Sequence, residues 1–201
     1  MLFKERLFGL RSCLLAAIFC VAPVFSPMFA LAVETNLTVK DASEDVVDRL
    51  TAASLSVSAQ DQGLTSAQEL LAAALSDYST LVQVLYDQGY FSPVIHIRVN
   101  GREAAEIPPL HPPSTVKRIE ISVTTGPKFS FGQAVVKPLA TDTELPEGFR
   151  SGAPATTGLI GDAARAGVSG WQRQGHALAD VSGQRIRANH QAAVLDAEIR
   201  L

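Results

Sequence analysis

The sequence predicts an α+β fold laid out twice along the chain. Three observations carry that prediction: a strong amphipathic helix at 66–88, runs of alternating apolar residues after it, and a weaker return of the same order in the second half. Each half reads strand–helix–helix–strand–strand, a three-stranded sheet covered by helices on one face. The 201 residues, 47% hydrophobic and 18% charged, suffice for two small domains.

The first segment reads as an address. Met1–Arg11 is short and basic, Cys13–Phe25 is apolar, and Ala30-Leu31-Ala32 is an A-x-A site. This is the pattern of a secretory signal peptide over 1–32, cleaved after Ala32. A membrane anchor is the competing reading. The apolar run is short of the ~20 residues a spanning helix needs, and Pro23 interrupts it. A lipoprotein site needs a small residue before its cysteine, and Cys20 follows Phe19.

Three of the 17 basic and one of the 20 acidic residues lie in 1–32, so the remainder carries a net charge of −5. That balance argues against phosphate-backbone binding and hence against nucleic acid. Both cysteines, Cys13 and Cys20, also fall in the first segment, and the four histidines are scattered. Neither a Cys/His metal cluster nor a disulfide framework is expected, and no cofactor is implied.

In the remaining chain a first strand is expected at Leu37–Val39 and a helix over Glu44–Leu55, capped by Asp41 or Ser43. The helix 66–88 opens on Ser66-Ala-Gln-Glu69, a capping box, and closes at Gly89. Its face runs through Leu70, Leu71, Ala74, Tyr78, Leu81, Val82 and Leu85. After Gly89 the period falls to two. Ile95, Ile97 and Val99 face inward, with His96 and Arg98 opposite, up to the turn Asn100-Gly101. A Pro-rich loop at 107–113 leads to a strand at 116–123, with Ile119, Ile121 and Val123 inward.

The second half repeats the plan more faintly. A strand is expected at 129–136 and a helix at Leu159–Gln174 with Leu159, Ala163, Ala166, Gly170 and Trp171 inward, Trp171 as a core anchor. Strands follow at 177–186 and 193–201. Leu85-Tyr-Asp-Gln-Gly89 returns as Trp171-Gln-Arg-Gln-Gly175, 86 residues on. Two tandem copies of one unit are the natural reading; two unrelated α+β domains are the alternative.

Several segments resemble one family. They are Leu85–Ala105, Ile107-Pro-Pro-Leu110, the junction Gly126-Pro-Lys-Phe-Ser-Phe-Gly132, Leu145-Pro-Glu-Gly-Phe149 and Gly170–Ala177. Together they resemble the POTRA domains of the Omp85 superfamily, in particular TamA-like autotransporter assembly (surface antigen) proteins, over roughly residues 36–201. The resemblance implies a signal peptide at 1–32, a first POTRA-like β-α-α-β-β domain at 33–126 and a second at 127–201. It also implies a periplasmic array leading into an outer-membrane barrel that assembles other barrels. Barrel strands would appear as many alternating segments of about ten residues, and none follows within the 201 residues. The chain therefore reads as the N-terminal part, a truncated product or a stand-alone periplasmic form, and insertion activity is not carried over.

What carries over is binding. A sheet edge offers unpaired N–H and C=O groups to an extended partner. The edge candidates are 94–99, with Val94, His96 and Arg98 outward, and 178–186, with Asp180, Ser182 and Gln184 outward. The expected partners are unfolded outer-membrane proteins or autotransporters and an envelope assembly partner. The alternatives are a passive spacer arm, for which the same residues are solvated faces, and a small periplasmic hydrolase. No G-x-S-x-G, H-E-x-x-H or phosphate loop supports the last, and no catalytic residue is assigned.

Overall fold

The structure is a computed structural model that describes residues 33–201. The segment read as a signal peptide, with its cleavage site at Ala32, lies outside the described residues.

The first half builds β1 (Glu34–Lys40), α1 (Glu44–Ala53), α2 (Leu55–Asp61), α3 (Ala67–Asp87), β2 (Val94–Val99), the two-residue β3 (Arg102–Glu103), a 3-10 turn (Ala104–Glu106) and β4 (Arg118–Thr124). Strand order is β1-β4-β2-β3. β1 runs parallel to β4, and β2 is antiparallel to β4. The alternation in the sequence is the alternation of the sheet: Ile97, Val99, Ile119, Ile121 and Val123 are buried, while Val94, His96 and Arg98 are exposed. Leu70, Leu71, Ala74, Leu81 and Leu85 of α3, with Val46 and Leu50 of α1, close that face.

The expected helix at 44–55 is α1, ending at Ala53, and a second helix that was not expected, α2, starts at Leu55. Ser54 is extended (φ −69°, ψ 121°), ending α1 and capping α2 through its side chain to the Val57 amide. The break is held from outside. Buried Asp77 of α3 accepts the Ser54 hydroxyl at 2.9 Å and the Leu55 and Ser56 amides at 2.6 and 3.0 Å. A carboxylate thus satisfies donors that no intrahelical carbonyl reaches.

The second half builds β5 (Ser130–Lys137), α4 (Thr157–Arg173), β6 (Gly183–Asn189) and β7 (Val194–Arg200). Its order, β5-β7-β6, repeats β1-β4-β2, again with a parallel pair, β5 and β7, and an antiparallel one, β7 and β6. Two expectations change here. The segment 138–156 forms no helix, so this half has one helix where two were expected. Pro138, Pro146 and Pro154 each lack an amide proton; instead Phe149 packs into the core, with Leu145 partly buried against it. The inward face of α4 is Ile160, Ala163, Gly167 and Gly170 rather than one including Trp171. A Cβ on Gly167 would stand 2.8 Å from the Leu201 side chain and 2.9 Å from that of Val136, so glycine lets the helix lie close on the sheet.

The repeated helix ends adopt one geometry. Gly89 (φ 87°) and Gly175 (φ 95°) are both left-handed. Tyr90 donates to the Leu85 carbonyl at 2.9 Å, and His176 to the Trp171 carbonyl at 3.1 Å. Both are six-to-one closures of a helix C-terminus.

The halves meet through short-range contacts. The Gly89 carbonyl accepts the Phe129 amide at 2.9 Å. Tyr86, Phe91, Phe129 and His190 form a run of rings with centroids 5.0, 5.6 and 5.8 Å apart. The Ser92 hydroxyl lies 2.6 Å from His190 Nδ1, and the Thr157 hydroxyl donates to the Asp87 carboxylate. Phe91 packs in the apolar cluster of the second sheet although it follows α3 in sequence.

Candidate protein-docking edges

The four outer strands differ in what covers them. The amide of Thr35 in β1 donates to the side-chain oxygen of Gln60 in α2, and its hydroxyl donates to the Ser56 carbonyl. The entry to β5 is bonded by the loop 152–155: Phe131 donates to Ala153 at 2.8 Å, Gly152 to Phe131 at 2.7 Å and Ala155 to Phe129 at 2.9 Å.

β2 is closed along part of its length by its own hairpin. β3 pairs with Arg98 and Val99. One residue further, the Glu103 carboxylate accepts the Ile97 amide at 3.2 Å. The Tyr78 hydroxyl lies against both Glu103 and the Ile97 carbonyl, 3.3 Å away. Burial works against charge on Glu103, but Tyr78, Ile97 and His96 outweigh it and hold the carboxyl below its usual range. Burial and Glu103 together push the Tyr78 phenol up to about 12.

β6 is different. All seven residues pair with β7 on one side. On the other side no hydrogen bond reaches residues 184–188 among the described residues. Every side chain from Gln184 to Asn189 is exposed. Gln184, Ile186 and Ala188 border a groove of about 540 Å³ shared with Tyr86, Phe91 and Ile160. The opposite set is basic: Arg185 and Arg187 lie over Glu198 and Asp196 of β7, with Lys137 Nζ 2.9 Å from Glu198. Lys137 first, then Arg185 and Arg200, hold the Glu198 carboxyl below its usual range.

The expected site residues distribute as follows. Val94 is 52% exposed. His96 and Arg98 lie over Asn36, Thr38 and Glu120 on the open face of the first sheet, and His96 Nδ1 is 3.5 Å from Glu103. Asp180 precedes β6, and its carboxylate accepts the Val181 amide at 2.7 Å. Ser182 also lies outside the strand, donating its amide to the Arg200 carbonyl. Gln184 alone of the second trio is in β6 and on the groove. The expected strand 177–186 is thus displaced to 183–189, because His176 to Val181 are tied into local turns. Ile186 and Ala188 were the missed groove residues; their alternation with Arg185 and Arg187 is the signal that marks them.

Among the described residues no group of three or more His, Cys, Asp or Glu stands close enough to hold a metal, and no helix is long and apolar enough to cross a membrane. The fold and its free edge define a class, a pair of small α+β sheet modules with a strand open to a partner.

No protein-family model matches the chain, and no curated protein matches it. Among solved structures it is similar to POTRA1-2 of the periplasmic domain of Omp85 from Anabaena, at 15% identity and TM-score 0.44, over 84% of this chain and 93% of that one. It is similar to POTRA1-3 of the same periplasmic domain at 16% identity and TM-score 0.45, over 84% and 60% of the two chains. BamA from Haemophilus ducreyi lacking POTRA domains 1-3 is similar at 14% identity and TM-score 0.45, over 83% of this chain and 28% of that one.

Proposed function

We propose that this chain is a non-catalytic, periplasmic protein-binding module of an outer-membrane protein or autotransporter assembly factor, made of two tandem POTRA domains at 33–126 and 127–201. It takes extended client strands by pairing them to β6. The observation that carries the reading is the free edge of β6 at 184–188 beside an apolar groove. A strand added there finds backbone partners along its length, which demands little of its sequence. Its alternate side chains fall toward Phe91, Ile160, Ile186 and Ala188. A strand destined for an outer-membrane barrel is apolar at every second position, so it fits a groove on one side and solvent on the other. The sequence motifs, above all Gly126-Pro-Lys-Phe-Ser-Phe-Gly132, support the family and, through it, the periplasmic location.

The test is a chemical-shift titration with an extended barrel-strand peptide. The amides of 183–189 shift in the parent chain, and Ile186→Asp weakens binding about tenfold by placing a charge in the groove. Shifts absent from 183–189 overturn the mechanism. A second reading, a spacer arm, is favoured by the tight junction at Gly89, Phe129 and His190. Under it Ile186→Asp leaves assembly unchanged in cells.

A further inference from the structure

The two faces of β6 differ in charge as well as in shape. Gln184, Ile186 and Ala188 border the groove, and Arg185 and Arg187 alternate with them on the open face of the sheet. Each arginine has an acid across from it on β7: Arg185 stands in register with Glu198, and Arg187 with Asp196. Opposite charges so placed ordinarily neutralise one another. Here both acids are drawn to β5 instead. Glu198 lies 2.9 Å from Lys137 Nζ but 3.9 Å from the Arg185 guanidinium. Asp196 accepts the Gln133 amide at 2.8 Å, where the β5 ladder bulges between Phe131 and Ala134. A bulge takes a residue out of the ladder, and the carboxylate supplies the acceptor that its amide needs.

The arginines are thereby left short of partners. Among the described residues Arg187 has no ion pair and no side-chain hydrogen bond, and Arg185 has only the long contact to Glu198. Around them the open face of the second sheet carries Lys137, Arg185, Arg187 and Arg200 against Asp196 and Glu198. Residues 33–201 as a whole are acidic, at −5. The excess of cations is therefore local, and two of the four stand on the strand with the free edge.

An extended segment pairing with residues 184–188 turns every second side chain to the groove and sets the others beside Arg185 and Arg187. Apolar residues in the groove fix its register. The outward positions then meet two guanidinium groups short of carboxylates. Asp or Glu at those positions makes charge-assisted hydrogen bonds, and Lys or Arg is repelled.

We infer that the β6 edge selects its client by charge as well as by backbone pairing: it takes extended segments that alternate apolar residues with Asp or Glu, the acids lying across from Arg185 and Arg187. The inference rests on strand capture at β6 and adds to it the chemical class of the client.

Two extended peptides of equal length test it, each with valine at alternate positions. The outward positions hold glutamate in one and lysine in the other. Both are titrated into the parent chain at low salt and followed by the amides of 183–189. The glutamate peptide is expected to bind about tenfold more tightly, since two cross-strand charge pairs are attractive in it and repulsive in the lysine peptide. The preference shrinks at high salt. Arg185→Glu combined with Arg187→Glu reverses it. Where circular dichroism shows that this double reversal does not fold, Arg185→Gln combined with Arg187→Gln is used, and the preference is abolished. Equal affinities in the parent, or a preference that survives the loss of both arginines, overturn the inference and leave strand capture standing. So does polyglutamate that binds as tightly as the alternating glutamate peptide, which makes the face a general anion patch. Peptides that leave 184–188 unshifted overturn capture and inference together.

Discussion

The Glu103 carboxylate accepts the amide of Ile97 at 3.2 Å, so the first sheet closes part of its own β2 edge with a side chain. An acceptor aimed at a strand amide occupies the place an incoming strand would use. Glu103→Ala frees that amide and removes one of the two acceptors of the Tyr78 hydroxyl, leaving the Ile97 carbonyl. The expected cost is about 1–2 kcal/mol, the loss of hydrogen bonds to a charged group. The expected gain is a second strand-binding edge: a peptide that shifts only β6 amides in the parent also shifts Ile95 and Ile97 in the variant. Unchanged β2 amides would mean that β3 alone closes this edge.

The same carboxylate makes acid stability a local matter. Its folded pKa lies below its usual value, so its contribution is fully present above the ordinary glutamate pKa of about 4.3 and is lost as pH falls through the folded one. In a series of melts, the parent loses stability over that acid range more steeply than Glu103→Ala. Parallel acid limbs in the two chains would remove Glu103 as the cause.

Tyr78 gives the opposite limb. Its phenol is pushed up to about 12, first by burial and then by Glu103. A group with a raised folded pKa contributes stability below its unfolded value, about 10, and that contribution fades as pH climbs to about 12. Phenolate absorbance followed through an alkaline titration shows a late component, and Tyr78→Phe removes it. A titration with no late component would show that the phenol does not hold its contact with Glu103.

Asp77 is the third buried-group prediction. It is fully buried and holds three donors at the break between α1 and α2. Asp77→Ala leaves the Leu55 and Ser56 amides and the Ser54 hydroxyl without their acceptor, at a cost of about 3 kcal/mol or more. Asp77→Asn keeps an oxygen and is expected to cost less. Thermal melts of the two variants measure the difference, and equal losses would show that volume rather than hydrogen bonding matters here.

Asp77 also shows why parts of this fold were not legible in the sequence. The periodicity of 66–88 and the alternation through Ile97, Val99, Ile119 and Ile121 announce their elements, because burial on one face writes itself into spacing. The break at Ser54 does not, since its cause lies on α3, 23 residues away. Trp171 lies off the inward face for a related reason: Gly167 takes an inward position on α4 beside the expected Ala163 and Gly170, and glycine carries no hydrophobic signal. At β6 the apolar members are only Ile186 and Ala188, so the strand's start was read too early, and with it two of three expected site residues. An edge strand with solvent on most sides has little burial to record, and the proposed docking edge is thereby faint in the sequence.

The twin helix ends allow the junction to be weighed by itself. Gly89 and Gly175 share a left-handed backbone, at φ 87° and 95°. A Cβ on Gly175 meets nothing within 4 Å, whereas one on Gly89 would stand 2.8 Å from the Ala155 carbonyl oxygen, in the opposite half of the molecule. Gly175→Ala therefore carries the conformational cost alone, about 1 kcal/mol. Gly89→Ala carries that cost and forces the halves apart by moving the strap at 152–155, which also bonds Phe129 and Phe131. The two substitutions differ by the energy of the junction, read from their melting temperatures. The expected companion effect is confined to Gly89→Ala: perturbed amides at Phe129, Ala155 and His190, with Gly175→Ala silent at those positions. Equal losses and silent junction amides in both variants would mean that the two halves sit together without the close approach at Gly89 contributing to stability.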